Sequence, residues 1–141
     1  MIERNLLATI FTCQAAAEGM MQRRNGRIVT ISSTAAFIGR PNSAIYATAK
    51  AAAVHYTRCL ATQLRPFCIN VNSIAPGETR TARFLATREV DENRLMDGGT
   101  LDRVALIDEV SRVTEVFVGP LGDFVSGQVI RVDGGAQCWP A

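Results

Sequence analysis

The 141-residue sequence has little of what several classes of site require. It contains one histidine, His55, so neither a histidine-dependent catalytic triad nor a multi-histidine metal site can form within one chain. Its four cysteines, Cys13, Cys59, Cys68 and Cys138, lack the paired spacing of a zinc site. We therefore expect no metal centre, and we interpret the cysteines as reduced, small apolar residues of a cytoplasmic protein.

Long apolar runs and blocks of like charge are also missing. No stretch approaches the length that crosses a bilayer, and the first residues, with Glu3 and Arg4 before a short apolar run, do not form a secretory signal. Charged residues make up 20% of the chain and the net charge is +2. The sequence therefore predicts neither a membrane nor a nucleic acid as partner.

The order of the expected elements indicates an α/β protein. Helical patterns cover residues 2–24, 43–65 and 106–118, and β-branched runs predict strands at 27–31, 68–74 and 127–132. Residues 78–106 form a polar connection with short helical pieces. Because helices and strands alternate without a repeat or a linker, we expect one domain with a parallel sheet.

Tyr46 and Lys50 lie four residues apart, on one face of the second predicted helix. An ammonium close to a phenol favours the phenolate form, which makes a tyrosine usable as a proton donor or acceptor. This spacing alone occurs by chance on many helices. Its context is more specific: Ser33 precedes Tyr46 by thirteen residues, N-V-N-S-I-A-P-G occupies residues 70–77, and S-G-Q-V-I-R-V-D-G-G occupies residues 126–135.

With these motifs in this order, the sequence resembles the short-chain dehydrogenase/reductase family, in the branch of 3-oxoacyl-carrier-protein-reductase-like enzymes. The resemblance covers nearly the whole chain. It implies the C-terminal part of a Rossmann-type doubly wound parallel sheet, with about three parallel strands and flanking helices. It also implies an NAD(P)-dependent oxidoreductase that interconverts a secondary alcohol and a ketone by hydride transfer.

The resemblance assigns catalytic roles to four residues. Ser33 matches the serine that hydrogen-bonds the substrate oxygen, and Ser32 is the neighbour that a one-residue slip would select. Tyr46 matches the general acid/base, and Lys50 matches the lysine that favours the phenolate and holds the nicotinamide ribose. Asn5 matches, more weakly, the asparagine that steadies a water for proton relay, and a structural asparagine is the alternative.

Cofactor contacts follow from the same resemblance. Pro76 and Gly77 match the family's turn beside the nicotinamide, and Thr81 matches the threonine that binds the carboxamide, with Thr79 as a close competitor. Ile74 is expected either at the nicotinamide face or in the core.

One family motif is missing. The Gly-rich turn T-G-x-x-x-G-x-G, which approaches the pyrophosphate, does not occur, and neither Gly98-Gly99 nor Gly134-Gly135 is placed between a strand and a helix. Residues 1–141 are therefore expected to form a partial Rossmann-type domain without its nucleotide-binding half. The choice between NAD and NADP cannot be read, the isolated chain is expected to be inactive or weak, and strand 27–31 would be an open edge.

Association is expected as well. In family members the helices that match 2–24 and 43–65 pack subunit against subunit, so a homo-oligomer is predicted through them. The alternative function is a non-catalytic module that associates through the same helices. The segment 78–106 would cover the pocket for the alcohol or ketone, and Trp139 would either help to cover it or contact a neighbouring subunit.

Overall fold

A computed structural model describes residues 1–39, 41–89, 91–95 and 101–138. Helices and strands alternate along these ranges as α1 (Ala8–Arg23), β1 (Gly26–Ile31), α2 (Ala44–Leu64), β2 (Ile69–Pro76), α3 (Ala82–Thr87), α4 (Ile107–Val118) and β3 (Val129–Val132). A π-helical turn, Glu3–Leu7, precedes α1, and 3-10 turns lie at Thr34–Ala36, Arg65–Phe67, Glu92–Leu95 and Pro120–Gly122. The expected α/β order, with short helical pieces after β2, is confirmed.

The three strands form one parallel sheet in the order β1-β2-β3. Ile28 of β1 lies opposite Val71 of β2, and Ser73 of β2 lies opposite Val129 of β3. Strand β1 pairs with β2 on one side only, so within the described ranges it is an edge strand, as expected. Because the strands are parallel, their carboxyl ends meet at the same edge of the sheet.

Strand β2 is longer than the sequence predicts. We expected it to end at Ile74, before Pro76 and Gly77, yet it continues through Pro76, which lies opposite Val132 of β3. A proline has no N–H to donate, but it is tolerated at the end of a strand. The N–H of Gly77 then donates to the Val132 carbonyl at 2.9 Å and extends the pairing by one residue.

Helix α1 ends at Arg23, one residue before the end of the predicted helical segment 2–24. Arg24 adopts the left-handed conformation (φ 51°, ψ 40°), and its N–H donates to the carbonyls of Met20 and Met21. Gly26 is already the first residue of β1, where a Cβ atom would overlap the Met20 side chain. The glycine therefore permits close packing of strand on helix rather than the turn itself.

The core lies on both faces of the sheet. Helices α1 and α2 cover one face with a cluster formed by Cys13, Ala17, Ile28, Leu60, Ala61, Leu64, Ile69 and Val71. On the other face α4 buries Phe117, which is 1% exposed. The alanines of α2 let it lie close to the sheet, since Ala49 and Ala53 are 0% and 1% exposed.

Candidate functional site

A cleft of about 550 Å³ opens at the carboxyl ends of β1 and β2. It lies between the π-helical turn, the start of α2 and the segment that follows β2. Six residues singled out in the sequence line it: Asn5, Ser33, Tyr46, Gly77, Thr79 and Thr81. Lys50, Pro76 and Ile74 are not among its lining residues. A crevice at the carboxyl end of parallel strands is the common ligand site of open α/β sheets.

Ser33 and Ser32 have different environments at the end of β1. Ser32 is 3% exposed, and its Oγ donates to the Lys50 backbone carbonyl at 2.9 Å. Ser33 points the other way, lines the cleft, and accepts a hydrogen bond of 3.2 Å from the Ala35 N–H. A hydroxyl that accepts one bond still has its proton to donate. The geometry therefore favours Ser33 over Ser32 as the residue that can meet a ligand.

Tyr46 and Lys50 lie on the same face of α2, as their spacing predicts. The Lys50 ammonium is 5.8 Å from the centroid of the Tyr46 ring, and it donates to the Ile31 carbonyl at 2.9 Å. Burial lowers the pKa of Lys50 from its usual 10.5, because a desolvated ammonium loses its hydration. The structure therefore brings a positive charge to the tyrosine ring and fixes it from the end of β1.

Asn5 lies in the π-helical turn and faces the cleft. Its Nδ2 donates to the Met1 carbonyl at 3.0 Å, and the backbone carbonyl of Asn5 accepts from the Thr9 hydroxyl at 3.3 Å. Single π-helical turns are rare and are frequently found at functional sites. Each interpretation of Asn5 therefore has an observation that fits it. The hydrogen bond to Met1 fits a structural asparagine, and the position in the cleft wall fits a catalytic one.

The turn after β2 is closely packed. A Cβ atom on Gly77 would lie 2.9 Å from the Cβ and 3.2 Å from the Cα of Asp133, so this position has no room for a larger residue. Since Asp133 follows β3, Gly77 holds the segment after β2 against the end of β3. The glycine therefore positions the threonines that follow it.

Thr79 and Thr81 both reach the cleft, with different hydrogen bonds. The Thr81 hydroxyl caps α3 and accepts from the Phe84 N–H at 3.1 Å. The Thr79 hydroxyl donates to the Gly77 carbonyl at 3.2 Å. Thr81 retains a proton to donate and Thr79 retains lone pairs to accept. Either hydroxyl can therefore contribute to binding a carboxamide, and the competition between them stays open.

Ile74 is 0% exposed and does not border the cleft. Its backbone carbonyl accepts from the Ser32 N–H at 2.7 Å, as part of the sheet. A side chain with no exposed surface has none to offer to a nicotinamide ring. Of the two sequence interpretations, the core isoleucine is the one that this geometry fits.

Several cleft residues had no signal in the sequence. Arg4, Ser43 and Arg83 line the cleft beside the predicted residues. So does Glu78, whose carboxylate accepts from Arg88 at 3.1 Å and from Arg94 at 3.2 Å. No motif marks these positions, because the folding of distant segments brings them together. For these positions the sequence led to one general expectation, that the segment 78–106 covers the pocket. Its residues 78–88 supply one wall of the cleft.

The donor set fits one end of a nicotinamide dinucleotide. An ammonium and a phenol suit ribose hydroxyls, and threonine hydroxyls suit a carboxamide. In addition, Ser43 Oγ is buried in the cleft wall without a hydrogen-bond partner, which is the state of a group that a ligand completes. Lys50, Tyr46, Thr79 and Thr81 are thus the residues that would hold the nicotinamide and its ribose.

The remaining sequence expectations have simple outcomes. His55 lies exposed on α2, and Gly98, Gly99 and Trp139 fall outside the described residues. Over the parts of the chain that the structure describes, no cluster of three or more His, Cys, Asp or Glu side chains could hold a metal ion. Across those same ranges, no helix has both the length and the apolar character needed to cross a membrane.

Residues 1–137 match the family model described as enoyl-(acyl carrier protein) reductase. The cyclohexanol dehydrogenase of Rhodococcus sp. (strain TK6) is 39% identical over 137 residues, which are 95% of this chain and 51% of that protein. The 3-oxoacyl-[acyl-carrier-protein] reductase FabG of Aquifex aeolicus (strain VF5) is 33% identical over 131 residues, 93% of this chain and 53% of that protein. The chain spans about half the length of the curated relatives it matches.

Solved structures agree with these relatives. A protein titled short chain dehydrogenase/reductase family protein superposes with a TM-score of 0.86 at 34% identity, over 99% of this chain and 57% of that one. A gluconate 5-dehydrogenase from Burkholderia cenocepacia J2315, in complex with NADP and tartrate, gives 0.81 at 28% identity, over 96% of this chain and 54% of that one. The expected Rossmann-type parallel sheet is confirmed.

Proposed function

The chain belongs to the short-chain dehydrogenase/reductase family, and from this premise we propose that it supplies the catalytic residues of an oxidoreductase that interconverts a secondary alcohol and a ketone. The observation that carries the proposal is one cleft lined by Ser33 and Tyr46, with the Lys50 ammonium beside the tyrosine ring. The alternative, a non-catalytic association module, is not favoured, because the relatives are named as dehydrogenases and reductases.

Each residue has a definite task in the proposed reaction. Tyr46 donates its phenolic proton to the carbonyl oxygen during reduction and takes a proton from the alcohol during oxidation. Ser33 donates a hydrogen bond to the same substrate oxygen, and Lys50 stabilises the phenolate that remains. Asn5 holds a water that returns the proton. NAD or NADP, when bound, supplies or accepts the hydride.

Cofactor choice and association are parts of the same proposal. Family membership and NADP in a similar solved structure support a nicotinamide cofactor, with NAD and NADP both open. A homo-oligomer through α1 and α2 is supported by large apolar side chains that these helices expose, Phe11 and Ile45, each 62% exposed. The cytoplasmic location also remains a prediction.

The test is hydride transfer by the protein in its full-length form. Absorbance of the reduced nicotinamide would be followed with NADH and with NADPH against a panel of secondary alcohols and ketones. Tyr46→Phe removes only the phenolic oxygen, so we expect its turnover to fall by at least about 100-fold, the usual contribution of one general acid/base. Near-normal turnover in Tyr46→Phe would refute the proposed role.

A second tyrosine provides the matched control. Tyr56 lies on the same helix but packs against α1, where its hydroxyl donates to the Ile10 carbonyl at 3.4 Å. Tyr56→Phe removes the same atom from the same element without touching the cleft. It should retain wild-type turnover, and a melting curve should show that both variants are folded.

A further inference from the structure

The cleft beside Ser33 and Tyr46 has an excess of positive charge. Among the residues that the structure describes, three arginines line it, Arg4, Arg83 and Arg88, against one carboxylate, Glu78. Formal charge alone does not define a binding site, since arginines at a rim are commonly neutralised by ion pairs. The contacts of each arginine therefore decide which of them can act on a ligand.

Arg88 and Glu78 satisfy each other. Arg88 pairs with Glu78 at 3.1 Å and lies over the Phe84 ring at 5.4 Å, and Arg94 holds the second oxygen of Glu78 at 3.2 Å. The one carboxylate among the described residues of the cleft wall thus has two guanidinium partners. Its charge is already neutralised by Arg88 and Arg94, so Glu78 does not pair with the other arginines of the cleft.

Arg4 and Arg83 remain without such a partner. Both side chains are exposed, both line the cleft, and neither makes an ion pair with any residue that the structure describes. Arg4 directly precedes Asn5, and Arg83 follows Thr81 by two residues on α3. They therefore reach the cleft from two different walls, next to residues proposed to act on the substrate or the cofactor.

A third group completes the set. Ser43 Oγ is buried in the wall of the same cleft with no hydrogen-bond partner. Two guanidinium groups and one unused hydroxyl are all hydrogen-bond donors. A carboxylate or phosphate accepts several hydrogen bonds at once, and guanidinium is the side-chain group that binds it best.

The geometry points to an anionic substrate: Arg4 and Arg83, assisted by Ser43, bind a carboxylate or phosphate on the alcohol or ketone whose oxygen meets Ser33 and Tyr46. The assignment rests on the proposed function and adds the substrate class to it. A neutral cyclic or aliphatic alcohol would leave both guanidinium groups without a partner. An oxo acid or hydroxy acid, or a phosphorylated hydroxyketone, would use them.

Binding of matched probes to the full chain tests this assignment without any turnover. Acetoacetate and its neutral methyl ester differ by the carboxylate charge, and dihydroxyacetone phosphate and dihydroxyacetone differ by the phosphate. By calorimetry we expect one anion of the two pairs to bind at least about 100-fold more tightly than its neutral partner, about tenfold for each of the two arginines. The pair that shows the larger ratio identifies the anion as carboxylate or phosphate.

Variants locate the effect. Arg4→Gln and Arg83→Gln should each reduce the ratio of anion to neutral affinity by about tenfold or more, while the affinity for the neutral probe stays within twofold. Arg65→Gln removes an exposed positive charge outside the cleft and should leave the ratio unchanged. Arg83→Lys retains charge but loses the two-pronged geometry, so it should recover part of the ratio.

Three results would overturn the assignment. They are equal binding of anionic and neutral probes, a ratio that does not change in Arg4→Gln and Arg83→Gln, and a loss of NADH affinity in these variants in place of a loss of probe affinity. Salt gives a test on the unaltered protein, because raised ionic strength must weaken the binding of the anionic probe and leave the binding of the neutral probe unchanged. Failure of the proposed function is distinguishable, because it appears as unchanged turnover in Tyr46→Phe.

Discussion

Ser32 Oγ donates a hydrogen bond of 2.9 Å to the backbone carbonyl of Lys50. Lys50 Nζ donates in return to the carbonyl of Ile31, the residue before Ser32, also at 2.9 Å. The end of β1 and the middle of α2 are thus joined in both directions. This junction holds together the two elements that bring Ser33 and Tyr46 to the cleft, through residues that do not themselves line it.

The two adjacent serines should respond oppositely to the same substitution. Ser32→Ala removes a buried hydrogen bond and leaves the Lys50 carbonyl less satisfied, so the free energy of unfolding should fall by about 1 kcal/mol. Ser33→Ala leaves the junction intact and should reduce turnover by about 100-fold or more, because it removes a donor to the reacting oxygen. Denaturant melts and turnover on both variants check this, and equal effects of the two substitutions on turnover would contradict it.

Gly77 should not tolerate even one methyl group. In Gly77→Ala the new Cβ would lie 2.9 Å from Asp133 Cβ and 3.2 Å from its Cα, so the segment that carries Thr79 must shift. Overpacking of this kind costs about 1–3 kcal/mol, and we expect a lower melting temperature together with a raised KM for the cofactor. Gly39→Ala is the control, since a Cβ there meets no atom within 4 Å. A stable Gly77→Ala variant with unchanged KM would refute the positioning role.

Periodicity and motif spacing predicted the sheet and the residues on regular elements. Tyr46 and Lys50 share a helix face because four residues make about one turn, and Ser33 follows a β-branched strand, so local rules place all three. Those rules do not give strand ends or backbone details. Strand β2 continues to Pro76 because pairing with β3 extends it, and Arg24, which is not a glycine, takes the left-handed conformation that ends α1.

Contacts between distant segments account for what the sequence could not predict. Ile74 was equally compatible with a ligand face and the core, and only the packed sheet shows it to be fully buried. Arg4 and Arg83 are 79 positions apart and meet at one cleft, which no local pattern encodes. The Thr30 and Thr57 hydroxyls, 2.8 Å apart between β1 and α2, form another such contact.

Asn72 should be a stability residue despite its place in the N-V-N-S-I-A-P-G motif. It is 1% exposed, its Nδ2 donates to the Val125 carbonyl at 2.8 Å, and its Oδ1 accepts from the Gln128 N–H at 3.0 Å. Asn72→Leu keeps the branched shape of the side chain but leaves the Gln128 N–H without its acceptor and the Val125 carbonyl with one donor fewer, so the free energy of unfolding should fall by about 1–3 kcal/mol. The half-buried Asn70 also donates to the Val125 carbonyl, and Asn70→Leu should cost less. Equal urea midpoints for the two variants would contradict this ranking.

Glu109 should make part of the stability dependent on acid pH. Its carboxylate accepts from both terminal nitrogens of Arg103, at 2.7 and 2.9 Å, and from the Leu106 N–H at 2.7 Å. The Arg103 hydrogen bonds, followed by the Leu106 N–H, lower the pKa of Glu109 from 4.5 to about 2. A depressed carboxyl pKa stabilises the folded state above the unfolded value, and this stabilisation is lost as pH falls from about 4.5 through about 2.

The comparison of Glu109→Gln with the parent protein should therefore depend on pH. Because the Glu109 side chain is 33% exposed, we expect the free energy of unfolding of Glu109→Gln to lie no more than about 1 kcal/mol below that of the parent at pH 7, where the parent has the full ion pair. This difference is the stability deficit of the variant. The deficit should shrink below pH 4.5 and vanish only below pH 2, where both proteins carry a neutral side chain. Asp108→Asn is the control, because it removes a negative charge from the same first turn of α4. Its effect measures the general interaction of a carboxylate with the helix N-terminus, apart from the ion pair with Arg103. A deficit that is constant from pH 7 to pH 2 in urea titrations would show that the carboxylate charge does not contribute.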